Sequence, residues 1–301
     1  MKQYGPWVFT FILCALIGLS PAAAQEFEPR SYSVAPVGLN FFSIGYGYLT
    51  GAVFMDPALP VEDIDSEVHV VIARYTRTLE MFGLPTKLKL VQPWSSGHWD
   101  GFLEGEFRTR DTTGLVDTRV VVETIFAGAE AMTAAEMADY QPTTVWGARL
   151  QIVAPTGSYD SDKVINLGAN RWGLIPEIGF GTPVGNWTFE GAVGAWLFGD
   201  NDEFVGDLLL EQEPLFVSKL HAIYTVRPGY WWALAAGFGY GGRTTVDGVK
   251  RDTVQRNTRF AMAMAYPIRA NQGVSVLVGS GANRGAGTRY YSVALGYQYA
   301  W

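Results

Sequence analysis

The chain has 301 residues, with 29 Asp and Glu against 22 Lys and Arg, a formal net charge of −7, 35 glycines and 14% aromatic residues. That acidic balance argues against nucleic acid as a partner. The one cysteine, Cys14, lies in the N-terminal apolar stretch, so the chain beyond it offers no disulfide, thiol ligand or cysteine nucleophile.

Residues 1–24 read as a secretory signal. Lys2 supplies the positive start, Trp7 to Leu19 carry no charge, and Ala22-Ala23-Ala24 gives the small-x-small pattern that signal peptidase cuts after. Gln25 is then the expected new N-terminus. The apolar stretch is too short for a comfortable membrane span. Cys14 follows Leu13 inside the apolar run, which does not fit a lipoprotein anchor. Residues 25–301 are expected to form one domain, with no linker, repeat or separate plug domain. Whether Phe27 to Val37 sits inside that domain as a small plug is left open.

The region after the signal has no uninterrupted run of about 20 apolar residues, which excludes helical spans. Period-2 segments recur instead. Phe42, Ile44, Tyr46 and Tyr48 alternate with Ser43, Gly45 and Gly47, and Phe260, Met262, Met264 and Tyr266 alternate with Arg259, Ala261, Ala263 and Ala265. Alternate side chains of a strand point to opposite faces, so each segment has one bulky apolar face and one small or polar face. The twelve expected strands are 40–53, 66–80, 86–93, 115–126, 143–154, 174–183, 187–198, 214–226, 230–241, 257–266, 273–281 and 288–301. Broken alternation over 66–93 suggests a bulge there.

Connections alternate between short (82–85, 184–186, 227–229, 267–272) and long (54–65, 94–114, 155–173, 199–213, 242–256). That is the pattern of short periplasmic turns and long outer loops. Residues 127–142 break the short rule and hold an expected short helix, with Thr133 as its N-cap and Glu136 three residues on. The last segment places Tyr291, Val293, Leu295, Tyr297, Tyr299 and Trp301 on one face, ending the chain on an aromatic. This resembles the C-terminal signature read by the outer-membrane barrel-assembly machinery. The fold class is therefore all-β: a transmembrane antiparallel β-barrel of about 12 strands in the outer membrane of a Gram-negative bacterium, its neighbours lipid and lipopolysaccharide.

Chemical motifs are few. Gly237 to Gly242 match G-x-G-x-x-G, but a loop rather than a helix follows, so no nucleotide is expected. Asn186-Trp187-Thr188 is a coincidental sequon at a tight turn. Asp200, Asp202, Glu203, Asp207, Glu211 and Glu213 read as a solvated acidic loop without EF-hand spacing. His69, His98 and His221 form no metal pair, and no serine is placed to partner His221. No cofactor, metal or catalytic residue is expected, and no enzyme activity.

What remains is the inward face. The strand register sends Asp117, Arg119, Glu123, Arg149, Gln151, Glu177, Thr188, Glu190, Lys219, His221, Thr225, Arg259 and Gln298 into the lumen. They would line a narrow pore or form salt bridges that hold a closed barrel together.

Short motifs also run through the chain in a recognisable order: Pro36-Val37-Gly38-Leu39-Asn40, Pro155-Thr156-Gly157-Ser158-Tyr159-Asp160, Asn166-Leu167-Gly168-Ala169-Asn170-Arg171-Trp172, Pro176, Gly241-Gly242 and the terminal Trp301. In them the chain resembles the outer-membrane transporter family of the meta-pathway of phenol degradation. The resemblance implies transport of small, aromatic compounds across the outer membrane, and brings no set of substrate-binding residues. The leading expectation is passive passage of a small solute, hydrophobic or aromatic ones included. The alternative is a non-conducting structural or adhesion barrel that acts through its outer loops.

Overall fold

The computed structural model describes residues 27–52, 57–59, 61–283 and 288–301. The expected signal peptide and its cleavage point lie outside the described residues. In chain order the wall begins with β1 (Asn40–Gly51), β2 (Val61–Met81) and β3 (Leu84–Leu103). One stave follows in two pieces, β4 (Glu106–Leu115) and β5 (Thr118–Ala127), then β6 (Val145–Ala154), β7 (Gly173–Val184) and β8 (Trp187–Phe198). The short strands β9 (Asn201–Phe204) and β10 (Leu208–Gln212) leave the wall before β11 (Leu215–Arg227) and β12 (Tyr230–Gly241) rejoin it. A second excursion holds β13 (Thr244–Val246) and β14 (Val249–Lys250), and β15 (Gln255–Arg269), β16 (Gln272–Asn283) and β17 (Thr288–Ala300) complete the wall.

Counting β4 and β5 as one, these are twelve antiparallel staves. The ring closes where β1 pairs with β17, Phe41 opposite Ala300. Every expected strand has its counterpart. Closure leaves no unpaired sheet edge in the bilayer, the condition for crossing it with strands.

The alternation has its physical outcome in exposure. On β1, Phe42, Ile44 and Tyr46 are exposed while Phe41, Ser43 and Leu49 are buried. On β15, Phe260, Met262, Met264 and Tyr266 are exposed while Ala261, Ala263 and Ala265 are buried. A soluble sandwich would bury the bulky face; a wall facing hydrocarbon turns it outward. Trp187 packs edge to face on Tyr224 and Trp232 at the short-turn end, those two rings lie tilted on each other, and Tyr299 stacks on Trp301. These form the interfacial aromatic girdle expected of such barrels.

Four local expectations are corrected. There is no bulge within 66–93: β2 and β3 stay in register from Asp65 to Met81, and the shift falls between Glu62 and Asp65. Alternation is blurred there because the inner face carries Val68, Val70 and Ile72 and then Arg74, Lys87 and Lys89, so both faces look apolar in places and charged in others. Residues 94–114 are a tall hairpin of β3 and β4, with Trp94 opposite Leu115, rather than a loop. Much of that hairpin is exposed, so it carries no clean period-2 signal. The excursions 199–213 and 242–256 contain β9, β10, β13 and β14, which pair into a four-stranded outer sheet. The helix expected at Thr133 is a single 3-10 turn, Glu136–Asp139. Its box is nonetheless made, since the Thr133 amide and hydroxyl donate to the Glu136 carboxylate at 2.7 and 2.8 Å. Those bonds hold that carboxyl below its ordinary pKa.

The lipid-facing assignment gives a direct test. Leu234 is half exposed at mid-height of β12. Leu234→Lys should cost about 2–4 kcal/mol of unfolding free energy in lipid vesicles, the cost of a cation near the bilayer midplane. Leu234→Phe should change it little, as denaturant titration would show.

Candidate functional site: a plugged lumen and its outer cavity

Of the thirteen residues expected to face inward, ten (Asp117, Arg119, Glu123, Arg149, Gln151, Glu177, Glu190, Lys219, His221 and Arg259) are no more than 7% exposed; Gln298 is also buried, and Thr188 and Thr225 are half-buried. The segment from Phe27 to Pro36 lies inside the ring among them, with Phe27, Glu28, Ser31, Tyr32, Val34 and Ala35 buried. It enters at the short-turn end, where Thr78 donates to the Pro36 carbonyl at 2.6 Å.

Two groups of wall charges receive it. On the first side Glu28 meets Arg74 at 3.3 Å, Arg149 at 3.7 Å and the Lys89 ammonium. The wall carboxylate Glu123 meets the same cations, at 2.7 Å from Lys89 and 3.2 Å from Arg149, and Lys87 at 3.8 Å. On the second side the wall is acidic. Glu190 accepts the backbone N–H groups of Arg30 and Tyr32 at 2.8 and 3.2 Å, and Glu177 accepts the Tyr32 hydroxyl at 2.7 Å and Lys219 at 2.5 Å. His221 lies 3.5 Å from Glu190 and edge-on to Phe27. Arg30 donates to Thr225 at 2.6 Å and lies over Trp231. The segment thus presents an acid to the basic wall and N–H donors to the acidic wall. Buried charges are tolerable only when paired in this way.

Glycines make the space. A Cβ on Gly179 would come within 2.4 Å of the Tyr32 ring, and one on Gly181 within 2.8 Å of the Tyr32 carbonyl. Two inward positions of β7 are empty so that Tyr32 can fill one with its ring and the other with its carbonyl.

A second arrangement lies above this one, at the long-loop end. β3 pairs with β5 up to Val91 opposite Arg119, then with β4 from Trp94 opposite Leu115. Pro93, which has no N–H to give, falls at the break. Asp117 is released from the ladder there. Its two carboxylate oxygens accept the N–H groups of Gly157 and Ala169 at 2.8 and 2.9 Å, pinning both limbs of the 155–172 loop. The limbs touch backbone to backbone, since a Cβ on Gly157 would be 2.6 Å from the Gly168 Cα. Under this loop is a cavity of about 750 Å³, its open mouth included, lined by Arg119, Arg171, Trp172, Trp196, Phe198 and Phe204 among others.

Arg119 lines this outer cavity, and Gln151 accepts a 2.7 Å bond from Arg149. Arg259 stands apart from both groups, over Tyr290, and Gln298 accepts from Ser43 at 3.4 Å. Trp196 and the plug residues Glu28, Arg30 and Tyr32 did not stand out in the sequence. Trp196 and Phe198 had a signal: they are bulky residues on the inner face of β8, where small ones are the rule. The described residues hold no group of three or more His, Cys, Asp or Glu able to bind a metal.

Residues 58–299 match the family described as "Putative MetA-pathway of phenol degradation". The chain belongs to that family. Among solved structures it is similar to the COG4313 outer-membrane channel from Pseudomonas putida F1, at 22% identity and a TM-score of 0.76, over 92% of this chain and 100% of that one. It is also similar to the transport unit of the autotransporter AIDA-I from Escherichia coli, at 12% identity and a TM-score of 0.50, over 87% and 90% of the two chains. At these identities the likeness is one of fold. No curated protein matches the chain.

The Asp117 clamp predicts a protease phenotype. Asp117→Ala removes two hydrogen bonds to a charged acceptor, worth about 1.5–3 kcal/mol each. Trypsin should then nick the folded barrel after Lys163 at least about tenfold faster, read on gels of parent and variant.

Proposed function

We propose that the chain is an outer-membrane channel for passive passage of small solutes, aromatic ones included, and that its N-terminal segment is a displaceable plug. The single observation that carries this reading is the seating of Glu28 to Tyr32 in the lumen by side-chain bonds to the wall. A plug tied to a wall by ion pairs and hydrogen bonds can be released as a unit, whereas a packed apolar core cannot. Twelve staves enclose more room than the side-chain-filled eight-stranded barrel and less than an open porin, so clearing one short segment leaves a narrow path. The ten inward residues from Asp117 to Arg259 are then the groups a solute passes.

Family membership supports a link to aromatic compounds without naming one. Export with removal of residues 1–24 is part of the proposal, supported by Lys2, the uncharged stretch Trp7 to Leu19 and the Ala22-Ala23-Ala24 pattern. So is delivery to the barrel-assembly machinery through the last strand and Trp301, into a membrane whose outer leaflet is lipopolysaccharide.

A non-conducting barrel is favoured by one observation, the near-complete burial of the inward charges. Planar-bilayer recording separates the two. The parent should be closed for most of the record, and deletion of residues 27–35 should give larger and more frequent openings. Glu28→Lys, which sets a fourth cation beside Arg74, Lys89 and Arg149, should act in the same direction. A folded deletion variant that stays silent would refute the channel and leave the structural barrel.

A further inference from the structure

The outer cavity has the composition of a binding site as well as the position of an entrance. Its apolar side is made by Val153, Val164, Phe204 and two aromatic rings, Trp196 and Phe198, stacked at 10° with centroids 5.4 Å apart. Its charged side is cationic. Arg119, Lys163 and Arg171 line it against a single carboxylate, Asp117, whose two oxygens are already occupied by the loop amides. Arg171 is held in place, donating to Gln212 at 2.6 Å and lying 4.9 Å over the Phe198 ring.

One donor in this wall has no acceptor among the described residues. Trp196 is 6% exposed, yet its indole Nε1–H has no hydrogen-bond partner among them. A buried N–H left without an acceptor has lost its hydration with nothing in return. Such a group in a native structure calls for an explanation. The space beside it is kept clear by Gly173, where a Cβ would sit 2.9 Å from that nitrogen. Gly173 lines the same cavity.

We propose that this cavity binds a single-ring aromatic carboxylate. The ring lies among Trp196, Phe198 and the apolar side chains, and one carboxylate oxygen accepts the Trp196 N–H while Arg119, Arg171 and Lys163 supply the opposing charge. An aromatic ring supplies the apolar half and stacks on aromatic neighbours. An anion suits the cationic half, and a carboxylate oxygen accepts a hydrogen bond well. Six of the loop residues that line the cavity, Tyr159, Asn166, Gly168, Ala169, Arg171 and Trp172, fall within the two motifs at 155–160 and 166–172, and Lys163 and Val164 lie between them. They are brought together by Asp117. The assignment deepens the channel reading by naming its solute, and rests on it only for the solute's onward passage.

Binding is measured apart from conductance, by isothermal titration of the refolded protein in detergent micelles at neutral pH. Benzoate is the probe, with benzyl alcohol, benzylamine and hexanoate as comparators. Benzoate should bind, the neutral alcohol and the ringless acid at least about tenfold more weakly, and the cationic amine not measurably. Trp196→Phe keeps a ring and removes the donor, and should weaken benzoate about tenfold or more, the range of one hydrogen bond to a charged group. Gly173→Ala, which places a methyl in front of the indole N–H, should weaken it comparably and serves if the tryptophan variant does not fold. Absence of benzoate binding to a barrel shown to be folded by heat-modifiable gel mobility overturns the proposal. So does equal affinity for benzyl alcohol or hexanoate, or a folded variant that binds as the parent does. None of these outcomes bears on whether the deletion variant conducts.

Discussion

The interior of this barrel is governed by the pairing of Glu28 with the wall cations Arg74, Lys89 and Arg149. Inside a hydrocarbon-wrapped ring, a charge without a partner costs several kcal/mol. The basic side of the wall has four cations, Arg74, Lys87, Lys89 and Arg149, against one wall carboxylate, Glu123. The acidic side has Glu177 and Glu190 against Lys219 and a histidine. The basic side of the wall is therefore short of acid, and the acidic side has carboxylate oxygens left to be bonded. The N-terminal segment answers part of each need, with Glu28 at one and the Arg30 and Tyr32 N–H donors at the other. Barrel and plug are electrostatically one object, although they are held by few bonds.

That complementarity explains why the lumen can be both charged and closed. Breaking such a buried pair by removing one member costs about 3–5 kcal/mol, while replacing the whole set can be nearly neutral. A plug of this kind is held firmly against thermal motion, and in the channel we propose a competitor that supplies similar charge displaces it. The outer cavity, cationic and aromatic, is where an anionic competitor would first be concentrated.

Much of the wall was legible from residue periodicity, because a lipid face and a lumen face impose opposite demands on adjacent residues. Segments such as 40–51 and 255–269 carry that contrast cleanly. It fails where both faces are wet, as in the β3–β4 hairpin, and where the inner face is apolar as well, as along Val68, Val70 and Ile72. The inward charges were legible for the same reason as the strands that carry them. The plug could only be left open, since residues 27–37 have no period and their partners, Glu177 and Glu190 among them, lie far along the chain. The motifs at 155–160 and 166–172 were visible as motifs only. Their shared anchor, Asp117, could be placed on an inward face, yet nothing in its neighbours announces that it leaves the ladder to clamp a loop.

The central claim is that Arg30 and Tyr32 are bonded to Glu190 inside the folded barrel, and amide hydrogen exchange at those two residues in the refolded protein tests it most directly. Exchange slowed to the level of the surrounding strands, and released in Glu190→Ala, is the predicted result. Exchange as fast as in a free peptide would contradict the account.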